Sequence, residues 1–392
     1  MMLQVPDYIR RLVPYVPGKP IEETKREFGI RRVIKLASNE NPLGPSPKAI
    51  QAVKASLRDA HRYPDAGAFR IKKALCNHLS IRPESLIIGN GSNEIIDLLI
   101  RTFSLPGDSI VTSQMAFVAY RLCAQIHGVQ TVETPLTADL RFDLRAMADT
   151  VKKNDRIRIV FIANPNNPTG TYVTKDELRT FLREVAPVRG SSVLVALDYA
   201  YWEYVTASDL PDPMELASEF PNVIVMRTFS KIYGLAGLRL GYGVGNPDVI
   251  SAVEKIRQPF NVNSIALVAA EAALSDRAFV TRSRKLNREG MKFWQIHLTQ
   301  MNVPFWPSQG NFILIDAFKG FGKSGGEIYQ NCLKSGVIFR PVANYGMGQA
   351  LRISIGTSAE NSLAIETLKK ELPTAQRALN GSKKRRKTGS KK

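Results

Sequence analysis

The sequence predicts an α/β protein: a large domain with a mostly parallel sheet sandwiched by helices, then a smaller α/β domain. Three observations carry that reading. Short, almost wholly apolar runs at 193–197 and 222–226 have the composition of strands buried on both faces. Helical patterns alternate with such runs, the order that parallel strands joined by crossover helices require. The length, 392 residues, exceeds what one hydrophobic core usually serves, so a second domain is expected.

The chain then reads in order. Residues 1–45 form an N-terminal arm, irregular because Pro6, Pro14, Pro17, Pro20, Pro42 and Pro45 forbid a long helix beyond 7–13. The large domain is placed at 46–270. It opens with helices at 47–57 and 69–79, separated by the turn Tyr63-Pro-Asp-Ala-Gly67. A strand at 86–88 runs into Gly89-Asn-Gly-Ser-Asn-Glu94 and a helix over 95–103, a unit that presents backbone N–H groups to an anion. Strands follow at 109–113, 130–134 and 156–163, with a helix over 119–127. Thr174-Lys-Asp-Glu177 is a capping box opening the next helix, and strands at 192–197, 222–226 and 240–244 complete the sheet. After a helix at 264–274, an amphipathic helix over 277–301 stops before Pro304. The small C-terminal domain, 271–375, holds strands at 310–316, 336–340 and 350–355, a helix at 325–335, and a last helix capped by Thr357-Ser-Ala-Glu360.

The net charge of +19 is unevenly spread: residues 376–392 carry eight Lys and Arg and no acid, leaving +11 on the remainder. That basic tail is expected to be disordered, and without interleaved aromatics it reads as a solvated arm with at most weak contact to nucleic acid. The positive body suits an anionic substrate and cofactor. Hydrophobic content of 44% and charged content of 23% are those of a soluble globular protein, and no apolar run approaches the ~20 residues of a membrane span. No export signal opens the chain, and three cysteines without a C-x-x-C pair fit a reducing, cytoplasmic setting. The four histidines show no metal-ligand spacing and no serine has a G-x-S-x-G context, so neither a metal site nor a hydrolase triad is expected.

Four features fall at strand ends, where open α/β sheets bind ligands. They are the turn at 90–93, the run Asn164-Pro-Asn-Asn-Pro-Thr-Gly170, the run Asp198-Tyr-Ala-Tyr201, and the stretch from Arg227 to Gly243 that sets Lys231 and Arg239 among glycines and apolar residues. The sequence leaves open whether the Asn167-Pro168 bond is cis. Alone, Lys231 reads as a lysine snorkelling from a strand end, and Arg239 as the partner of a nearby carboxylate. A partly desolvated amine also has a lowered pKa and can form a Schiff base with an aldehyde. An aldehyde cofactor with a phosphate arm and a pyridine nitrogen needs such a lysine, an anion cradle and a carboxylate at the ring nitrogen. The chain offers all three.

These residues, with Ser38-Asn-Glu-Asn-Pro-Leu-Gly44, Tyr63-Pro-Asp65 and Leu351-Arg-Ile-Ser-Ile-Gly356, give the chain its resemblance to the fold-type I pyridoxal-phosphate aminotransferases over about residues 8–372. Val13-Pro-Tyr-Val-Pro-Gly18 makes it most similar to the histidinol-phosphate aminotransferase group. The resemblance implies the PLP-dependent transferase fold of type I and a role for each site residue. Lys231 is the Schiff-base and proton-transfer lysine. Asp198 faces the pyridine nitrogen, Tyr201 and Asn167 the ring oxygen, and Phe117 the ring face. Ser92, Asn93, Thr228, Ser230 and Arg239 bind the phosphate, with Tyr63 supplied by a neighbouring subunit, so a homodimer with shared active sites follows. Tyr15, Asn311, Arg340 and Arg352 contact the substrate. The implied reaction passes an amino group between histidinol phosphate and 2-oxoglutarate, giving imidazole-acetol phosphate and glutamate in histidine biosynthesis. Aromatic amino acids as donors, or a lyase like the threonine-phosphate decarboxylases, are the alternatives. A regulator built on the same body is disfavoured, since no helix-turn-helix segment precedes Pro42. Tyr199 stands where relatives commonly carry glutamate, and the basic tail lies outside the family pattern.

Overall fold

A computed structural model of the chain describes residues 4–14, 17–186 and 193–373. The chain forms two units, a larger one from Met1–Tyr15 and Leu43–Arg284 and a smaller one from Val16–Pro42 and Lys285–Lys392. These units divide the chain at other points than the expected 45/46 and 270/271. The N-terminal 45 residues are not one arm, because their two ends have different partners. The ring of Tyr8 lies against Gly128, and Gln125 donates to the Arg11 carbonyl at 3.5 Å, both within the larger unit. Ile34 and Lys35 instead pair in parallel with Val337 and Ile338 in the smaller one. The second boundary falls inside the helix Arg277–Gln300. The helical period runs through that point, so no break in pattern marks it in the sequence.

The strands, in chain order, are β1 (Ile34–Lys35), β2 (Leu86–Gly89), β3 (Ser109–Ser113), β4 (Gln130–Thr134), β5 (Ile157–Ala163), β6 (Leu194–Asp198), β7 (Val223–Thr228), β8 (Gly241–Gly245), β9 (Phe305–Trp306), β10 (Phe312–Asp316), β11 (Val337–Ile338), β12 (Arg340–Val342) and β13 (Met347–Ser354). The larger unit is built on a seven-stranded sheet of order β2-β8-β7-β6-β5-β3-β4. All its pairings are parallel except those of β8, which runs against both β2 and β7. The apolar runs explain the placement: β3, β6, β7 and β8 are buried at every residue, while the polar, half-exposed β4 takes an edge. Val111, Phe161, Leu197 and Val225 belong to the core this sheet shares with the flanking helices. The capping box predicted at Thr174 and Glu177 is present on helix Lys175–Val185. One boundary moves with consequence: the helix expected from residue 95 begins at Ser92, after Gly91 turns the chain at φ 78°.

In the smaller unit, β12-β13-β10-β9 form an antiparallel sheet and β1 pairs with β11. The single strand expected over 336–340 is therefore two short strands in different sheets, divided at the buried Phe339. Trp294, Ile313, Ile315, Leu351 and Ile353 form part of the core. Capping boxes at Ser324/Glu327 and Thr357/Glu360 open the helices Gly325–Leu333 and Ser358–Lys369. A helix that the prolines concealed, Ile21–Phe28, starts directly after Pro20 and ends on Gly29 in the left-handed region. Proline is tolerated there because the first helical N–H groups have no partner inside the helix. Among the described residues no helix is long and apolar enough to cross a membrane.

Candidate active site

The ends of β2, β5, β6 and β7 lie at one edge of the larger sheet, as their registers require: Ala163 pairs with Asp198, Asp198 with Met226, and both Thr228 and Gly89 with Gly241. Each strand end delivers one part of the site.

Asp198 closes β6 and is 5% exposed. One carboxylate oxygen accepts from the Tyr120 hydroxyl at 2.9 Å and the other from the Ala200 N–H at 3.1 Å. Burial pushes its carboxyl up to about 6; the two donated hydrogen bonds and then the charge of Lys231 act in the opposite direction. The result is a dehydrated carboxylate that would be eased by a further cation. Lys231, half-buried just beyond β7, holds its Nζ 5.7 Å from the centre of the Tyr201 ring. Tyr201 is buried. Phe117 meets Tyr120 edge to face, with ring centroids 5.8 Å apart, and Tyr120 stacks on Phe161 at 4.8 Å. Tyr120 is thus part of the same cluster, although sequence reading missed it. Its only local signal is an aromatic residue in the first turn of helix Ala119–Ile126.

After β5 the chain turns through two cis prolyl bonds, Asn164-Pro165 and Asn167-Pro168. The turn is fastened from both sides. The Asn164 amide exchanges hydrogen bonds with the backbone of Val173, at 3.1 and 2.9 Å, and the Asn166 amide donates to the Met115 carbonyl at 3.1 Å. Asn167, 8% exposed, is held between these anchors.

The second cluster gathers the start of one helix and a guanidinium. Ser92 and Asn93 are the first residues of helix Ser92–Phe103, where no side chain caps the free N–H groups. Ser92 is buried at this end and Asn93 is exposed. Arg239 adopts φ 59°, a left-handed conformation that costs a non-glycine residue about 1 kcal/mol. It brings the guanidinium onto the helix start, so that a Cβ on Gly91 would sit 2.5 Å from Arg239 Nη2. Arg239 Nη1 donates to Ser230 Oγ at 3.2 Å, and the Ser230 N–H donates to Thr228 Oγ1 at 3.0 Å. Gly241 is required by packing, since its Cβ would meet the Ser92 nitrogen at 2.5 Å. Gly237 has open space beside it. Tyr63 stands apart at the surface, 84% exposed and stacked on Phe260 at 4.9 Å.

In the smaller unit, Arg340 and Arg352 are directly opposed across β12 and β13, which puts both side chains on one face of the sheet. Arg352 is buried, donates to the Ala37 carbonyl at 2.5 Å and lies over the Phe312 ring at 5.4 Å. Arg340 is half-buried, next to Gly18. Asn311, 1% exposed, donates to the carbonyls of Asn39 and Glu40 at 3.0 and 3.5 Å, and its buried Oδ1 has no hydrogen-bond partner among the described residues. Tyr15 and the tail at 376–392 lie outside the described residues.

Known proteins show the same architecture. The family model described as Aminotransferase class I and II matches residues 31–368. A histidinol-phosphate aminotransferase of Anaeromyxobacter sp. is 47% identical over 364 residues, covering 93% of this chain and 98% of that protein. Histidinol-phosphate aminotransferase 2 of Pseudomonas fluorescens is 46% identical, covering 94% and 97% respectively. Among solved structures, histidinol-phosphate aminotransferase from Sinorhizobium meliloti in complex with pyridoxal-5'-phosphate superposes with a TM-score of 0.83 at 28% identity, covering 97% of this chain and 99% of that one.

Proposed function

This chain belongs to the class I and II aminotransferases, a pyridoxal-phosphate-dependent family, and from that premise we propose that it passes an amino group between histidinol phosphate and 2-oxoglutarate. The products are imidazole-acetol phosphate and glutamate, a step of histidine biosynthesis. The observation that carries the chemistry is Asp198, a buried carboxyl pushed up to about 6 at the carboxyl edge of a parallel sheet, beside a half-buried lysine. The substrate rests on the two relatives above, nearly full-length matches that bear the same name.

The residues fit pyridoxal phosphate. The uncapped start of helix Ser92–Phe103, pressed by the Arg239 guanidinium, suits a phosphate, and Asp198 lacks a full counter-charge of its own. When bound, the cofactor supplies an aldehyde that takes up the amino group and a protonated ring that draws electrons from the substrate Cα. Lys231 Nζ removes the proton from that Cα and returns it in the reverse half-reaction. Asp198 holds its negative charge against the cationic ring N–H, and Tyr120 fixes the carboxylate in place. Tyr201 and Asn167 offer hydrogen bonds to the ring oxygen, and Phe117 covers a ring face. Ser92, Asn93, Thr228, Ser230 and Arg239 hold the phosphate arm.

Arg352 and Arg340, on one face of the sheet, take the substrate's anionic group. Asn311 and Tyr15 complete the substrate contacts. The exposed Tyr63 serves the site of a second copy in a homodimer. We place the enzyme in the cytoplasm, alongside the other steps of amino-acid synthesis; Cys76, Cys123 and Cys332 are all free thiols.

The deciding experiment is half-transamination. The yellow holoenzyme is mixed with histidinol phosphate, phenylalanine or threonine phosphate, and bleaching of the visible band is followed. Histidinol phosphate is expected to bleach it fastest; preferential reaction with phenylalanine, or carbon dioxide release from threonine phosphate, overturns the substrate. A Lys231→Ala variant should lack the yellow band and lose turnover, and retained activity would remove the lysine from the chemistry.

A further inference from the structure

The larger unit contains a second cavity, of about 480 Å³, that none of the chemistry above uses. That is room for a small metabolite. Arg277, Thr281 and Arg284 face it from the helix Arg277–Gln300, where their spacing puts them on one side. β7 contributes Arg227 to the lining, and His78, Trp202 and Tyr233 add to it.

The cavity also contains two carboxylates, and both are already engaged. Glu203 pairs with Arg227 Nη2 at 2.5 Å, with both side chains buried. Asp212 caps the helix Pro213–Glu219, accepting from the N–H groups of Met214 and Glu215 at 2.7 and 3.3 Å. Neither Arg277 nor Arg284 has an ion-pair partner among the described residues. Among the described residues Arg284 donates only to the main-chain carbonyl of Glu203, a contact that orients it without neutralising it. Arg227 Nε is buried with no hydrogen-bond partner among the described residues. Such a group costs free energy wherever water and acceptors are both missing. The local field agrees: burial, followed by the charges of Arg227 and Arg277, lowers the His78 imidazole below its ordinary value.

We propose that this cavity binds a small carboxylate- or phosphate-bearing ligand, held by Arg277 and Arg284. Guanidinium groups recognise either anion through paired N–H donors, so the chemistry is shared and the assay separates the sources. The site is distinct from the amino-transfer site, and an occupant would bear on β7, the strand that leads into Lys231.

Trp202 is a built-in reporter. The holoenzyme is titrated with inorganic phosphate and, separately, with succinate while Trp202 emission is followed, and a Trp202→Phe variant identifies the signal. A saturable change is expected with phosphate, succinate or both, and the responding anion names the class of ligand. Arg277→Gln/Arg284→Gln should weaken it by roughly tenfold or more. Amino transfer without added anion should stay unchanged, and Arg352→Gln should keep the response. Single Arg277→Gln, which leaves the Arg284 contact to Glu203 intact, should weaken binding in the same direction and guards against a folding defect in the double variant. The proposal is overturned if neither anion gives a saturable change, or if the arginine variants titrate like the parent.

Discussion

Asp198 illustrates how one residue sets stability against function. Its carboxyl titrates near 3.8 in an unfolded chain and is pushed up to about 6 by burial, so between those values the folded form binds the extra proton. Stability of the cofactor-free protein therefore falls as pH rises through that window, by roughly 3 kcal/mol in total. We expect cofactor-free Asp198→Asn to melt above the cofactor-free parent at pH 7, with the difference vanishing near pH 4. The same variant should lose about 10²–10³ in turnover, because the charge opposite the ring nitrogen is gone. Melting curves across pH alongside rates check both halves, and unchanged turnover would remove the electrostatic role. Asp198 was legible because a carboxylate ending an apolar run is a local signal. Its donor Tyr120 was not, since a link across 78 residues leaves no mark on the periodicity of its helix.

At the scale of elements, the start of helix Ser92–Phe103 is shaped by a glycine. Gly91 has φ 78°, and a Cβ there would sit 2.5 Å from Arg239 Nη2. Gly91→Ala should therefore strain the turn by about 1 kcal/mol and displace the guanidinium. The expected outcome is a folded protein whose affinity for pyridoxal phosphate falls about tenfold or more, measured by titrating the cofactor-free form. An unchanged affinity would show that Arg239 has slack. The glycine-rich turn itself was readable, as were the strands of the parallel sheet, where unbroken apolar runs leave little choice. Strand pairing was harder to read. The 336–340 run looked continuous because Phe339 is as apolar as its neighbours, yet the chain changes sheets there.

For the whole molecule, the proposed homodimer makes a quantitative prediction. If Tyr63 serves the partner's site, Tyr63→Ala and Lys231→Ala chains, each poorly active alone, should regain about a quarter of parental activity when mixed and allowed to exchange. No recovery would assign Tyr63 to its own chain. The two-unit division was anticipated from length, but its boundaries were not, because Tyr8 and Ile34 declare their different partners only once folded. A related long-range link has a consequence of its own. Asn39 gives its buried N–H to Ser354 Oγ at 2.8 Å, the Ser354 N–H bonds to the Leu36 carbonyl at 2.9 Å, and Asn311 secures the Asn39 carbonyl. In deuterium exchange the Asn39 amide should therefore protect as slowly as those of β13, and a protease that nicks the chain after residue 42 should leave this early segment attached until the C-terminal sheet melts.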